Sequence, residues 1–246
     1  MCVAALAYLA HPRWRLVAIG NRDEYHARSA APLAAWGDGS GILAGRDLQS
    51  GGTWLGVSPG HFALVTNRRG FGEAEPSKAS RGALVTDALR GIEPENLATF
   101  NPFNLIRIDP LGARFLSNRP EPNRADLTPG IYGLSNGMLD EPWPKTLQLK
   151  AAVQDWREAE LNDIEPLFAA LRSEHLDTQS LPGTQPSDIP REAAQTPPFI
   201  CAPIYGTRCS TVVTLDNTGT GTIAERSFDA NGQITGEVSL QFDWLI

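Results

Sequence analysis

The stretch from Cys2 to Ala10 carries no charged residue, and its only hydroxyl is that of Tyr8. A run this short and this apolar reads as a strand buried on both faces, so the rest of the chain must cover it from two sides. It falls far below the ~20 apolar residues a membrane span needs. No basic residue precedes it and His11-Pro12-Arg13 follows at once, which also makes it a poor secretory signal. His11-Pro12 predicts a turn and Trp14–Ile19 a second strand, so the chain is expected to open with a hairpin. Four polar residues, Asn21-Arg22-Asp23-Glu24, stand directly beyond that strand.

Further short strands are expected at Ile42–Ala44, Thr53–Val57, around the Gly51-Gly52 turn, and His61–Thr66, which runs into Asn67-Arg68. Between Ser77 and Arg90 the apolar positions Ala79, Ala83, Leu84, Ala88 and Leu89 recur with a helical rhythm. Ser77 or Ser80 is available as N-cap and Gly91 as the stop. Phe103–Ile108 and Ala113–Leu116 predict another hairpin, and Ile131–Leu134 a short strand ending at Ser135-Asn136. Helices are expected over about Pro144–Ala159 and Pro166–Leu171. Asp177–Pro198, rich in Pro, Thr, Gln and Ser, predicts a long surface loop or mobile flap. Strands near Thr211–Leu215, Gly221–Phe228 and Val238–Trp244 close the chain. Strands at both ends with helices in the middle predict an α+β domain with helices layered outside the sheets, not alternating βαβ units. The 246 residues fit one domain, 1–246. No glycine-rich phosphate loop is present, because Gly37-Asp-Gly39-Ser-Gly41 lacks a strand–loop–helix context.

A formal charge of −7 argues against a general nucleic-acid binder, which needs a surplus of Lys and Arg, although a local basic pocket stays open. The three cysteines, Cys2, Cys201 and Cys209, have no tight spacing, so neither a disulfide framework nor a zinc site is expected. No metal and no cofactor is implied. A small-molecule substrate or ligand, no stable membrane insertion and a cytoplasmic setting are the expectations, and the oligomeric state is left open. The histidines His11, His26, His61 and His175 are scattered, without a Ser or Cys neighbour that would make a triad.

Chemistry without a histidine base points to Cys2. Loss of Met1 is favoured before a small residue and would expose an α-amine with a pKa near ~7.7–8.0 beside a thiol near ~8.5. The amine can accept the thiol proton, giving an activated nucleophile. The alternative is a core cysteine at the start of a strand. On a strand, Arg22 and Glu24 share one face, and Asn21 and Asp23 the other. A hairpin from Cys2 would return this cluster beside the thiol, where a carboxylate could hold the α-ammonium and Arg22 could stabilise a thiolate or bind a substrate anion. The alternative is a solvated turn with weak salt bridges. Asn67 and Asn136 end apolar strands and Arg208 precedes one; the asparagine amides are suitable oxyanion donors, and equally common turn residues.

The run Asn21-Arg-Asp-Glu24, with Met1-Cys2, Gly45-Arg-Asp47, Gly51-Gly-Thr-Trp-Leu-Gly56, Thr66-Asn-Arg68 and Tyr205-Gly-Thr-Arg-Cys-Ser-Thr211, resembles the NRDE-motif family, also called the transport-and-Golgi-organisation family. The likeness runs through nearly the whole chain. That family is in turn similar to N-terminal-nucleophile (Ntn) hydrolases of the choloylglycine hydrolase and penicillin V acylase type, which implies a four-layer αββα fold. The resemblance implies Cys2 as nucleophile, Asn67 and Asn136 as contributors to the oxyanion hole, and Arg208 as support for the nucleophile. In those acylases an Arg precedes an Asp by three residues. Here Arg22 and Asp23 are adjacent and the pair three apart is Asn21 and Glu24, so which of the four faces Cys2 stays open.

Two functions are compatible with this. One is an N-terminal-cysteine amidohydrolase for a small acylated substrate, with catalytic candidates Cys2, Arg22, Asp23, Asn67, Asn136 and Arg208. Asn21, Glu24, Arg46 and Arg68 would then bind substrate, the arginines favouring an anionic one. The other is a non-catalytic binder or carrier of acyl-CoA, lipid or haem using the same pocket.

Overall fold

The structure is a computed structural model that describes residues 2–159, 162–176 and 195–244. The first strands are β1 (Cys2–Tyr8), β2 (Trp14–Tyr25), β3 (Ala30–Ala35), β4 (Leu43–Asp47), β5 (Leu55–Ser58) and β6 (His61–Asn67). Helix α1 (Arg81–Leu89) follows, then β7 (Phe103–Asp109), β8 (Gly112–Ser117), β9 (Asn123–Leu127) and β10 (Gly130–Leu134). Helices α2 (Pro144–Glu158) and α3 (Glu165–Leu171) precede the closing strands β11 (Tyr205–Asp216), β12 (Thr220–Phe228) and β13 (Ile234–Asp243).

These strands form two antiparallel sheets, one in the order β10-β1-β2-β11-β12-β13 and one in the order β3-β4-β5-β6-β7-β8-β9. The first strand is buried on both faces, and its alternation separates two cores. Val3, Ala5 and Ala7, with Val17 and Ile19 of β2, pack under α2 and α3 against Leu149, Val153, Trp156 and Phe168. Ala4, Leu6 and Tyr8, with Leu16 and Ala18, face the second sheet and join a core with Phe62, Leu64, Leu105 and Ile106. Helix α1 covers β5, β6 and β7. The result is the expected α+β, four-layer αββα sandwich. Each Val, Leu, Ile or Phe side chain fully withdrawn from water in these cores contributes about 1.5–3 kcal/mol, and the apolar periodicity is what decides which core it enters.

Several boundaries differ from the sequence-based expectation. Strand β2 does not stop at Ile19 but continues to Tyr25, so Asn21–Glu24 lies within a strand. Arg208 likewise lies inside β11. Two strands went unforeseen, β3 and β9, the two edges of the seven-stranded sheet. Ser80, not Ser77, caps α1, its hydroxyl accepting from the Gly82 N–H at 3.2 Å. Most of the Asp177–Pro198 segment lies outside the described residues. Among the described residues no helix is long and apolar enough to cross a membrane.

Candidate active site

The β1–β2 hairpin sets Cys2 opposite Arg22, and β11 sets Cys209 opposite Arg22 on the other side. Directly paired residues point to the same face of a sheet, so the two thiols flank one guanidinium on the side facing the second sheet. Asp23 pairs with Thr207. Arg22 and Asp23 are adjacent and point oppositely, whereas Cys209 and Thr207 are two apart and in a regular strand would point the same way. The extra residue that reconciles them is Arg208, at a bulge between Thr207 and Cys209.

Between the sheets, at this end, lies a cavity of about 670 Å³. Of the residues anticipated from sequence, Cys2, Arg22, Asp23, Glu24, Arg46, Asn67 and Arg208 border it. Cys2 is half-buried, and Ser135 Oγ donates to its carbonyl at 2.9 Å, fixing the start of β1. Burial pushes the Cys2 thiol up, and the Asp23 charge adds to this; Arg22 and the Asp23 backbone N–H pull it back. Arg22 is buried, with Nη2 3.4 Å from Asp47 and 3.9 Å from Glu24, while its Nη1 is buried without a hydrogen-bond partner among the described residues. Asp47 is shared, since Arg28 Nε donates to it at 2.7 Å. Arg46 donates to the Gly51 carbonyl and stacks over Trp36 at 4.6 Å. Arg208 donates from Nη1 to the carbonyls of Tyr25, His26 and Arg28 at 3.1–3.2 Å, holding the turn after β2 at the cavity rim.

Three anticipated residues do not border the cavity. Asn21 is fully buried on the helix side of β2. Its Nδ2 donates to the carbonyls of Leu171 (2.7 Å) and Pro198 (2.8 Å), and its Oδ1 accepts from Ser210 Oγ (2.6 Å). It ties α3 and the segment before β11 to the sheet, and both of its amide hydrogens are committed to protein carbonyls. Asn136 is buried behind Asn67 and donates to its carbonyl at 2.7 Å, so it braces the other asparagine. Arg68 is buried, with Nη1 3.5 Å from the Asn136 carbonyl and its guanidinium over Phe71. Of the two expected oxyanion donors, only Asn67 reaches the cavity wall.

Other residues entered the site unannounced. Arg81, the first residue of α1, borders the cavity, donates to the Pro102 carbonyl at 3.3 Å and feels the Cys2 and Glu24 charges. Its approach depends on two glycines: a Cβ on Gly52 would lie 2.5 Å from the Gly82 carbonyl carbon. Glu225 of β12 is buried at the cavity, accepts from the Leu33 N–H at 2.7 Å and is pushed up by burial. Lys145 of α2 has no solvent exposure and acts electrostatically on Asp23. Burial raises the Asp23 carboxyl to about 6, against the opposing pull of the chain's α-ammonium, of Lys145, of the Thr207 hydroxyl, which donates to Asp23 Oδ1 at 2.7 Å, and of Arg22. No local pattern marks Arg81, Glu225 or Lys145, since each becomes significant only through a strand or helix far along the chain.

Comparison with known proteins follows the same motifs. The family model described as Transport and Golgi organisation 2 matches residues 1–230. The mouse Transport and Golgi organization 2 homolog is 32% identical over 263 residues, covering 92% of this chain and 93% of that protein. The human homolog shares the same 32% over the same coverage. The solved Caenorhabditis elegans N-acylethanolamine-hydrolyzing acid amidase ortholog aligns with 86% of this chain and 92% of its own, at a TM-score of 0.47 and 12% identity; a likeness so remote carries no weight for activity. On the family match and the curated relatives, the chain belongs to the Transport and Golgi organisation 2 family.

Proposed function

We propose that the chain, as one unit, is an N-terminal-cysteine amidohydrolase acting on a small acylated substrate with an anionic group. The observation that carries this reading is the placement of Cys2 in register with Arg22, on the wall of a cavity of about 670 Å³ that Asn67 also borders. Once Met1 is removed, the α-amine of Cys2 takes the thiol proton and the sulfur attacks the acyl carbon. The carbonyl electron pair moves onto oxygen, where the Asn67 amide donates to it. The C–N bond then breaks, the leaving amine takes the proton, and water releases the acyl group from the thioester. Asp23 would hold the α-ammonium between steps.

The anionic character of the substrate is supported by charge. Six Lys and Arg residues border the cavity against five Asp and Glu, in a chain of net charge −7. Two of those carboxyls, Asp23 and Glu225, are drawn toward their neutral forms by burial. The test compares wild type with Cys2→Ala on a panel of N-acyl amino acids and N-acyl amines, with intact mass reporting Met1 and any acyl adduct. The expected outcome is turnover and an acyl-enzyme mass in wild type, and neither in Cys2→Ala. Equal turnover by Cys2→Ala, or labelling of Cys2 no faster than Cys201 by a thiol reagent, would sink the reading.

One feature favours a second reading, a binder or carrier of a hydrophobic anion: burial pushes the Cys2 thiol up, away from the nucleophilic thiolate. On that reading N-acyl ligands bind to wild type and Cys2→Ala alike, and neither protein turns them over.

A further inference from the structure

Lys145 occupies the first turn of α2, directly after Pro144 and with Trp143 as the cap residue, and it has no solvent exposure. This is a costly place for a cation. The N-terminal end of a helix carries partial positive charge, and the surrounding interior gives an ammonium group little to replace water. Its Nζ donates to Thr196 Oγ1 at 2.9 Å and lies 5.5 Å from the Trp143 ring centroid. The first turn of α2 contains no acidic residue to offset the charge. Compensation comes instead from the facing sheet. Asp23 on β2 is itself nearly inaccessible, and the segment that receives Lys145 at Thr196 is clipped to the partner of Asp23, since Ile200 N–H donates to Thr207 Oγ1 at 2.9 Å. Two buried opposite charges on neighbouring layers are mutually dependent, because removal of either strands the other.

We propose that Lys145 is a positioning residue for the Cys2 site, the countercharge from the helix layer that holds the Asp23 carboxylate beside Cys2. This rests on the amidohydrolase reading only for its consequence, not for the pair itself. The charges bearing on Lys145 are Asp23 from β2, Cys2 from β1 and, in opposition, Arg69 from the loop after β6. Those bearing on Asp23 are the chain's α-ammonium first, then Lys145 and its neighbour Arg22. Burial lowers the Lys145 ammonium to about 8 and raises the Asp23 carboxyl to about 6, so both remain charged between those values.

The experiment is a pH titration of wild type, Lys145→Met, Lys145→Arg and Asp23→Asn. It has two readouts: the Asp23 carboxyl by 13C NMR, assigned with Asp23→Asn, and the rate of Cys2 alkylation by iodoacetamide. In Lys145→Met the Asp23 midpoint is expected to rise by about one pH unit or more, and in Lys145→Arg to stay within about half a unit. Wild-type alkylation should carry an inflection at the Asp23 midpoint that moves with it in Lys145→Met and vanishes in Asp23→Asn. A structural role alone would lower stability in both lysine variants without moving either midpoint. An unmoved Asp23 midpoint in a folded Lys145→Met protein, or alkylation with no inflection that follows Asp23, overturns the proposal. If Lys145→Met fails to fold, Lys145→Arg decides: a midpoint displaced by more than one unit despite the retained charge overturns it too. Failure of the amidohydrolase reading shows separately, as the absence of turnover in wild type whatever Asp23 does.

Discussion

The two faces of β2 at its Asn21–Glu24 end differ more than their shared strand suggests. On the helix side, Asn21 sits in a dry network with a partner at each amide atom, and Asp23 is nearly inaccessible although it reaches the cavity wall. On the sheet side, Arg22 and Glu24 border an open cavity and are held by ion pairs of 3.4 and 3.9 Å. A polar group without water must be satisfied by protein, so the dry face is under structural constraint. Charges at a cavity can exchange protein partners for solvent or ligand, so the wet face is free to serve binding. Four consecutive polar residues thus divide into two jobs by strand alternation alone.

The contrast is broken most directly at Asn21. Asn21→Leu keeps the volume but leaves the Leu171 and Pro198 carbonyls and the Ser210 hydroxyl without this partner. At about 1 kcal/mol or more for each, the expected loss is about 3 kcal/mol or greater. Urea unfolding should show a clearly lower midpoint with an unchanged slope. An unaltered midpoint would mean that the helix side is not the constrained face.

Asp23 supplies the next effect, through pH. Its carboxyl is raised from 3.8 to about 6 in the folded protein, chiefly by burial. Between those values the folded state binds more protons than the unfolded state, so stability falls as pH rises from about 4 to about 6 and levels off above. The contribution is on the order of 3 kcal/mol across that window. Asp23→Asn removes it, so the stability difference between wild type and variant should drift in that direction and then become flat. A difference independent of pH between 4 and 6 would mean that the Asp23 carboxyl is hydrated from the cavity rather than buried.

The same division explains what could be read in advance. The β1–β2 hairpin was legible because Cys2–Ala10 and Trp14–Ile19 are apolar runs joined by a turn, and the resemblance carried the αββα layering. Strand β3 was not, because Ala30–Ala35 has one deeply buried side chain, Leu33, and a proline tolerated only at a sheet edge. In the site, the hairpin made the Asn21–Glu24 cluster legible as a neighbour of Cys2, and the strand register is what sets Arg22 opposite it. Which residue faced which core was not: Asn21 was expected to bind substrate and instead fastens α3. Asn67 and Asn136 look alike in sequence as strand-end asparagines, and only the meeting of β6 with the end of β10 makes one a cavity wall and the other its brace. Lys145 and Glu225 had no local signal, since their meaning lies in partners contributed by distant elements.

Glu24 should give the smallest effect and so sharpen the comparison from its other side. Its carboxylate lies 3.9 Å from both Arg22 and Arg28, with a quarter of its side chain exposed. Its Oε1 accepts from the Tyr25 N–H at 2.9 Å, a bond the glutamine carbonyl in Glu24→Gln can keep. Partly hydrated ion pairs at such distances contribute about 0–1 kcal/mol, so the unfolding midpoint should barely move, by less than about 0.5 kcal/mol. Binding should respond where stability does not, because the variant removes one negative charge from a cavity that already holds an excess of cations. Affinity for an N-acyl amino acid, measured by calorimetry on Cys2→Ala protein to prevent turnover, is expected to rise a few-fold and to fall with added salt. A loss of stability above 1 kcal/mol, with unchanged affinity, would show that Glu24 belongs to the same constrained network as Asn21, and that strand alternation does not separate scaffold from site.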